Sequence, residues 1–132
     1  MYDPILVPLK GDPTDETVVA HTGSLARLSG GKVILLRVIH SHSRDETTFF
    51  EEQARAYLEE AVARLKAQGV TAEGRVAWGE PAEMIVATAR ELKADLVVMA
   101  THGHSEMRHV LVGSVTEDVI RNSVSPVLLV RP

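Results

Sequence analysis

The sequence predicts an α/β fold built on an open five-stranded parallel sheet with helices on both faces. Three observations carry this reading. Five short apolar runs recur along the chain, at Pro4 to Leu9, Lys32 to Ile39, Val70 to Trp78, Asp95 to Ala100 and Ser125 to Pro132. Most are continuous in Val, Ile and Leu rather than alternating with polar residues, as parallel strands covered on both faces are. Between them lie segments with apolar residues at three- and four-residue intervals, the period of an amphipathic helix. A βαβαβαβαβ order with right-handed crossovers suits flavodoxin-like and Rossmann-like sheets alike. At 132 residues and 45% hydrophobic content, the chain suits one domain across 1–132.

Each element has its own signal. Pro8 near the end of the first strand sits where a missing N–H matters least. Lys10 to Thr14 turns the chain. Val18, Val19, Thr22, Leu25, Ala26 and Leu28 then mark a helix over 15–29, with Asp12 or Thr14 as its cap and Gly30-Gly31 as its breaker. After the second strand, His40 to Thr48 is polar and reads as a loop. Phe49 to Gln68 is a long amphipathic helix carrying Phe50, Ala54, Tyr57, Leu58, Ala61, Val62 and Leu65 on one face, and Gly69 ends it. The third strand mixes Thr71, Glu73 and Arg75 with apolar residues and so belongs at an edge. Gly79-Glu-Pro81 puts proline in the first turn of a helix through Ile85, Ala89 and Leu92. A last helix, Val115 to Asn122, carries apolar residues at 115, 119 and 120.

The stretch from Val97 to Ser114 leaves a buried strand, crosses a glycine-punctuated loop and enters that last helix. Unpaired N–H groups and the dipole at a helix start favour an anion, and glycine lets a phosphate approach the backbone. Ser114-x-x-Glu117 also fits a capping box, and a cap by itself binds nothing. The spacing therefore admits either a phosphate site or a plain connecting loop. In sheets of this class ligands bind beyond the carboxyl ends of the strands, where the strand order reverses. If the first and fourth strands are neighbours there, Lys10 and Ala100 to Gly103 line one crevice.

Composition excludes other classes. Fourteen Lys and Arg against eighteen Asp and Glu give a net charge of -4, and aromatics make up 4%. Nucleic acid is thus not expected as a partner. No signal segment or apolar span is read, so no membrane association is expected, and the absence of cysteine is compatible with a reducing cytoplasm. Among the six histidines, His40, His42, His102 and His104 share one rim, but no cysteine or placed carboxylate completes a metal set, and His21 and His109 fall elsewhere. Arg108 and His109 either add positive charge near a phosphate or are simply solvated. No Gly-x-Ser-x-Gly elbow surrounds Ser114, and no Walker lysine follows the glycine loop. No catalytic residue is assigned. Trp78 reads as packing under the following helix rather than as a stacking platform.

Several segments together resemble the universal stress protein family: Ile5-Leu-Val-Pro, Val33 to Val38, Gly79 to Ile85, Thr101-His-Gly-His-Ser, Leu111-Val-Gly-Ser-Val-Thr-Glu and Ser125 to Arg131. The likeness covers nearly the whole chain in order. It implies a Rossmann-like sheet ordered 3-2-1-4-5, of the adenine nucleotide alpha hydrolase-like kind, a homodimer paired through Val127 to Val130, and a cytoplasmic role in stress tolerance. One branch of the family binds ATP through Gly-x-x-Gly-x9-Gly-Ser/Thr, and another does not. Here the signature reads Ala100-x-x-Gly103, nine residues, Gly113-Ser114, with alanine for the first glycine.

Carried over residue by residue, Gly103, Gly113 and Ser114 hold phosphates, Val38 meets adenine through its backbone, and Pro8 and Leu9 wall the base. Met99, Ala100, His104 and Val115 complete the implied site with Lys10. Family ATP binders usually carry aspartate where this chain has Lys10, and lysine accepts no hydrogen bond from a ribose. Its ammonium either reaches a phosphate or fills the ribose place, while Asp12 offers a substitute acceptor. Two functions follow from the resemblance. One is a dimeric stress-response regulator binding ATP or a related adenine nucleotide, with Mg as a companion ion, between the first and fourth strands. The other is an interaction protein that binds no nucleotide because Lys10 occupies the ribose site. A slow nucleotide hydrolase is the weakest reading.

Overall fold

The structure, a computed structural model, describes residues 1–40, 44–103 and 112–132. Its elements run β1 (Ile5–Leu9), α1 (Thr14–Ser29), β2 (Val33–Ile39), α2 (Arg44–Ala67), β3 (Ala72–Trp78), α3 (Pro81–Leu92), β4 (Leu96–Ala100), α4 (Ser114–Asn122) and β5 (Val127–Val130). The strands form one sheet in the order β3-β2-β1-β4-β5, and every neighbouring pair is parallel. Ile5 pairs with Val33 on one side and with Leu96 on the other, which makes β1 the centre of the sheet.

The period-2 alternation of the central strands divides the core into two layers. Ile5, Val7, Leu9, Val33, Leu35 and Val98 pack with Val18 and Ala26 of α1 and Leu58 and Leu65 of α2. On the other face Leu6, Ile34, Leu36, Val97 and Met99 meet Ile85 and Ala89 of α3 and Val119 of α4. Each buried Val, Leu, Ile or Met side chain among these contributes roughly 1.5–3 kcal/mol by leaving water, so the two-faced apolar character of β1 and β4 specifies the sandwich.

Local chemistry sets most boundaries. Gly30 closes α1 in the left-handed region at φ 77 and donates its N–H to the Ala26 carbonyl at 2.7 Å. Three expectations need correction. Helix α2 begins at Arg44 rather than Phe49, because the polar stretch before Phe49 contains no glycine or proline and continues the helix although it has no apolar period. Leu28 and Ile120 fit the spacing of their helices yet are exposed, since each lies at the outer edge of its apolar stripe. The Asp12 alternative holds for α1: its Oδ1 accepts the Thr14 N–H at 2.9 Å and also the Thr14 hydroxyl, its carbonyl accepts the Asp15 N–H at 3.1 Å, and Pro13, at φ -59 and ψ -18, is already helical. Finally, Gly113 rather than Ser114 is the cap of α4 and makes no side-chain cap bond, so the capping box is not formed; Glu117 pairs with Arg121 at 2.7 Å instead.

Candidate functional site

The strand order reverses between β1 and β4, and the chain leaves these neighbours for opposite faces of the sheet. Such a divergence opens a crevice at the carboxyl ends of the strands. A cavity of about 240 Å³ lies there, lined by Pro8, Leu9 and Lys10 from the end of β1, Arg37 and Val38 from β2, Pro81 and Ile85 from α3, Met99 and Ala100 from β4, and Val115 from α4. Its wall is apolar apart from Lys10 and Arg37, a composition suited to a flat, largely apolar ring with polar groups at the mouth.

The β1–α1 loop is fixed by a buried carboxylate. Asp15 is only 4% exposed. It accepts the Lys10 N–H at 2.9 Å through Oδ1 and the Gly11 N–H at 2.8 Å through Oδ2. The hydroxyl of Tyr57, on α2, donates to Oδ2 at 2.5 Å. Burial is the main cause that holds the Tyr57 phenol above its ordinary value, followed by the hydrogen bond to Asp15 and that residue's charge. Arg37 braces the same loop. Its Nη1 donates to the Leu9 carbonyl at 3.2 Å, and its guanidinium lies 6.0 Å from the centre of the Tyr57 ring. Gly11, at φ 80, lets the guanidinium approach, because a Cβ there would stand 3.0 Å from Nη2.

On the opposite wall, the Thr116 hydroxyl donates to the Ala100 carbonyl at 3.0 Å and ties the first turn of α4 to the end of β4. The Gly113 N–H donates to the Thr101 carbonyl at 2.7 Å, and Thr101 Oγ1 lies 2.9 Å from His102 Nδ1. Gly103 and Gly113 are buried, whereas Ser114 is exposed at the start of α4.

Pro8, Leu9, Lys10, Val38, Met99, Ala100 and Val115 thus come together around one cavity, and Gly103, Gly113 and Ser114 lie outside its lining. His104 falls outside the described residues, as do His42, Arg108 and His109. Sequence reasoning missed Arg37, Pro81 and Ile85 as lining residues, and Asp15 and Tyr57 as supports. A charged residue inside the apolar run of β2 was the available signal for Arg37. Among the described residues, no group of three or more His, Asp or Glu is placed to hold a metal. His40 pairs with Glu80 at 3.4 Å. Trp78 is 36% exposed, so it packs only in part. A second groove of about 560 Å³ lies across the sheet from the cavity, between Arg37, Phe50, Gln53 and Tyr57. No described helix is long and apolar enough to cross a membrane.

Comparison with known proteins agrees with this architecture. The universal stress protein family model matches residues 1–131. Universal stress protein MJ0577 of Methanocaldococcus jannaschii is 28% identical over 155 residues, covering 99% of this chain and 96% of that protein. The solved structure of MJ0577 superposes with a TM-score of 0.91 at 31% identity, covering 100% of this chain and 97% of the other. A universal stress protein solved in complex with cAMP gives a TM-score of 0.79 at 32% identity, covering 98% of this chain and 97% of that one. A universal stress protein from Archaeoglobus fulgidus, solved in complex with dAMP, gives 0.76 at 27% identity over 97% of each chain.

Proposed function

The chain belongs to the universal stress protein family, and from that premise we propose that it binds an adenine nucleotide in the cavity between β1 and β4. The observation that carries the reading is the cavity itself, an apolar space of about 240 Å³ at the switch point of the sheet. In this reading the base enters between Pro8, Leu9, Val38, Ile85 and Met99. Its polar edge meets the backbone of Val38, and the phosphates lie toward Gly103, Gly113 and Ser114 at the start of α4, where N–H groups and the helix dipole favour negative charge. The complexes of relatives with cAMP and dAMP support an adenine ligand. Calorimetric titration of nucleotide-free protein with ATP, with and without Mg, tests the reading. Saturable heat supports it, and no heat at millimolar nucleotide opposes it.

The proposed role is that of a cytoplasmic, single-domain stress-response regulator acting as a homodimer. β5 lies at the edge of the sheet, with Val127, Leu128 and Leu129 only partly buried. An edge of this kind offers unpaired backbone groups and apolar side chains to a second copy. One observation favours a second reading: Lys10 is a cation in the cavity wall. If its side chain lies across the ribose place, the protein works through its surface alone, and it then binds neither adenosine nor nucleotide.

A further inference from the structure

We infer that the outer edge of β3 pairs antiparallel with the same edge of a second copy of this chain, with the twofold axis at Gly74 and with Glu73 of each copy facing Arg75 of the other. This interface lies at the opposite edge of the sheet from β5, so it stands apart from the pairing proposed above.

β2 and β3, at seven residues each, are the longest strands. Their register runs unbroken from Val33 opposite Ala72 to Ile39 opposite Trp78. The Val33 N–H donates to the Thr71 carbonyl at 2.8 Å at one end, and the Gly79 N–H donates to the Ile39 carbonyl at 3.0 Å at the other. Bonding alternates along a parallel pair, so Glu73, Arg75 and Ala77 turn their backbone groups toward β2. The N–H and C=O groups of Ala72, Gly74 and Val76 therefore point away from the sheet. Proline, a bulge or charges that repel a second copy ordinarily close such an edge. β3 holds no proline, its register has no bulge, and its two charged residues are opposite in sign.

Charge selects the register. Outward-facing residues must meet one another in an antiparallel pair, so the possible registers differ by steps of two residues. With Gly74 opposite Gly74, Glu73 faces Arg75 twice by symmetry, at non-hydrogen-bonded positions, where side chains are closest. One step either way sets Glu73 against Glu73 or Arg75 against Arg75, and like charges directly opposite are destabilising. Within one copy, Glu73 pairs with Lys32 at 3.1 Å and Arg75 with Glu91 at 3.5 Å. Such exposed pairs hold little energy alone, and across the axis they join into one network of alternating sign.

The other face of the strand fits as well. Ala72 meets Val76 of the second copy, and Gly74 meets Gly74 with no side chain between them. Gly74 is exposed, and a Cβ there would stand 2.9 Å from Leu58 Cβ, so α2 lies close above the axis. Beside it, a groove of about 420 Å³ is lined by Leu58, Val62, Ala63 and Ala72. A twofold axis normal to the sheet keeps both α2 helices on one face and brings the two grooves together.

The test uses the full chain and its Glu73→Arg, Arg75→Glu and E73R/R75E variants, followed by sedimentation equilibrium and by amide exchange at several concentrations. In the wild type, the Ala72, Gly74 and Val76 amides are expected to gain protection as concentration rises. Each single reversal should weaken this association about tenfold or more, because it sets like charges opposite one another at two symmetric positions. The double exchange, and an equimolar mixture of the two single variants, should restore it to within about threefold, because opposite charges again face each other. Fast exchange of these amides at every concentration, single reversals without effect, or a mixture no stronger than its separate components overturns the inference. Protection at Val127 and Leu129 reports the other edge, so pairing through β5 neither produces nor hides the result.

Discussion

The Tyr57 hydroxyl donates a 2.5 Å hydrogen bond to Oδ2 of Asp15, the same oxygen that accepts the Gly11 N–H at 2.8 Å. A side chain on α2 therefore holds, through one carboxylate on α1, the loop that carries Lys10 into the cavity wall. Tyr57→Phe should destabilise the protein by about 1.5–2 kcal/mol, toward the lower end of the worth of a hydrogen bond to a charged acceptor. Asp15→Asn places an amide where three donors converge, and the loss should be larger, about 3 kcal/mol. Urea unfolding of both variants measures the difference.

The same pair predicts a pH dependence. The Tyr57 phenol is held above its ordinary value of 10.0, first by burial and then by Asp15. The folded protein therefore keeps this proton more tightly than the unfolded chain does. The corresponding stability is fully present below about pH 10 and is lost as pH rises from there toward the folded value. Urea midpoints taken above about pH 10 should fall more steeply for the wild type than for Tyr57→Phe; parallel slopes would contradict the assignment.

Gly31 sits beneath the N-terminal segment, and a Cβ built there would lie 1.9 Å from the Tyr2 carbonyl oxygen. Backbone cannot yield as a flexible side chain can. Gly31→Ala should cost about 3 kcal/mol, the upper end of ordinary overpacking. Thermal unfolding of the variant reads this directly. A shift no larger than that of an exposed substitution would show that the segment moves freely.

Thr116 is fully buried, and its hydroxyl is donated to the Ala100 carbonyl. Thr116→Val keeps the shape and removes the donor, which should cost about 1 kcal/mol. Amide exchange in the first turn of α4 should quicken more than exchange in α3, because this bond fastens α4 alone to the end of β4.

Pairing of two copies through β5 has a signature that needs no substitution. Val97 N–H donates to the Pro126 carbonyl and Thr101 N–H to the Val130 carbonyl, so alternation along a parallel strand turns the Val127 and Leu129 N–H groups outward. In a dimer built on this edge, those two amides are protected, and the protection falls on dilution. Fast exchange at every concentration would place the partner elsewhere.

Much of the fold is written in the central strands. Ile5 to Leu9 and Leu96 to Ala100 are buried at every position, and residues covered on both faces leave a continuous apolar run. Strand order is different. No periodicity says that β1 lies between β2 and β4, and the order 3-2-1-4-5 was legible only through the family resemblance. Helix starts were legible only where a breaker preceded them. Pro81 opens α3 as read, whereas the polar residues ahead of Phe49 gave no sign that the helix had already begun at Arg44. The cavity wall at Pro8, Leu9 and Val38 came through the resemblance too. Asp15 and Tyr57 did not, because an acidic residue in the first turn of a helix looks like an ordinary complement to its dipole, and its partner lies far along the chain.

The most direct measurement of nucleotide binding in the cavity is a two-dimensional amide NMR titration of nucleotide-free protein with cAMP. Binding in the cavity predicts saturable shifts concentrated at Leu9, Lys10, Arg37, Val38, Ile85, Met99, Ala100 and Val115, the amide-bearing residues around the cavity. No shifts at millimolar ligand would contradict it. So would shifts confined to Phe50 and Gln53, in the groove on the other face of the sheet.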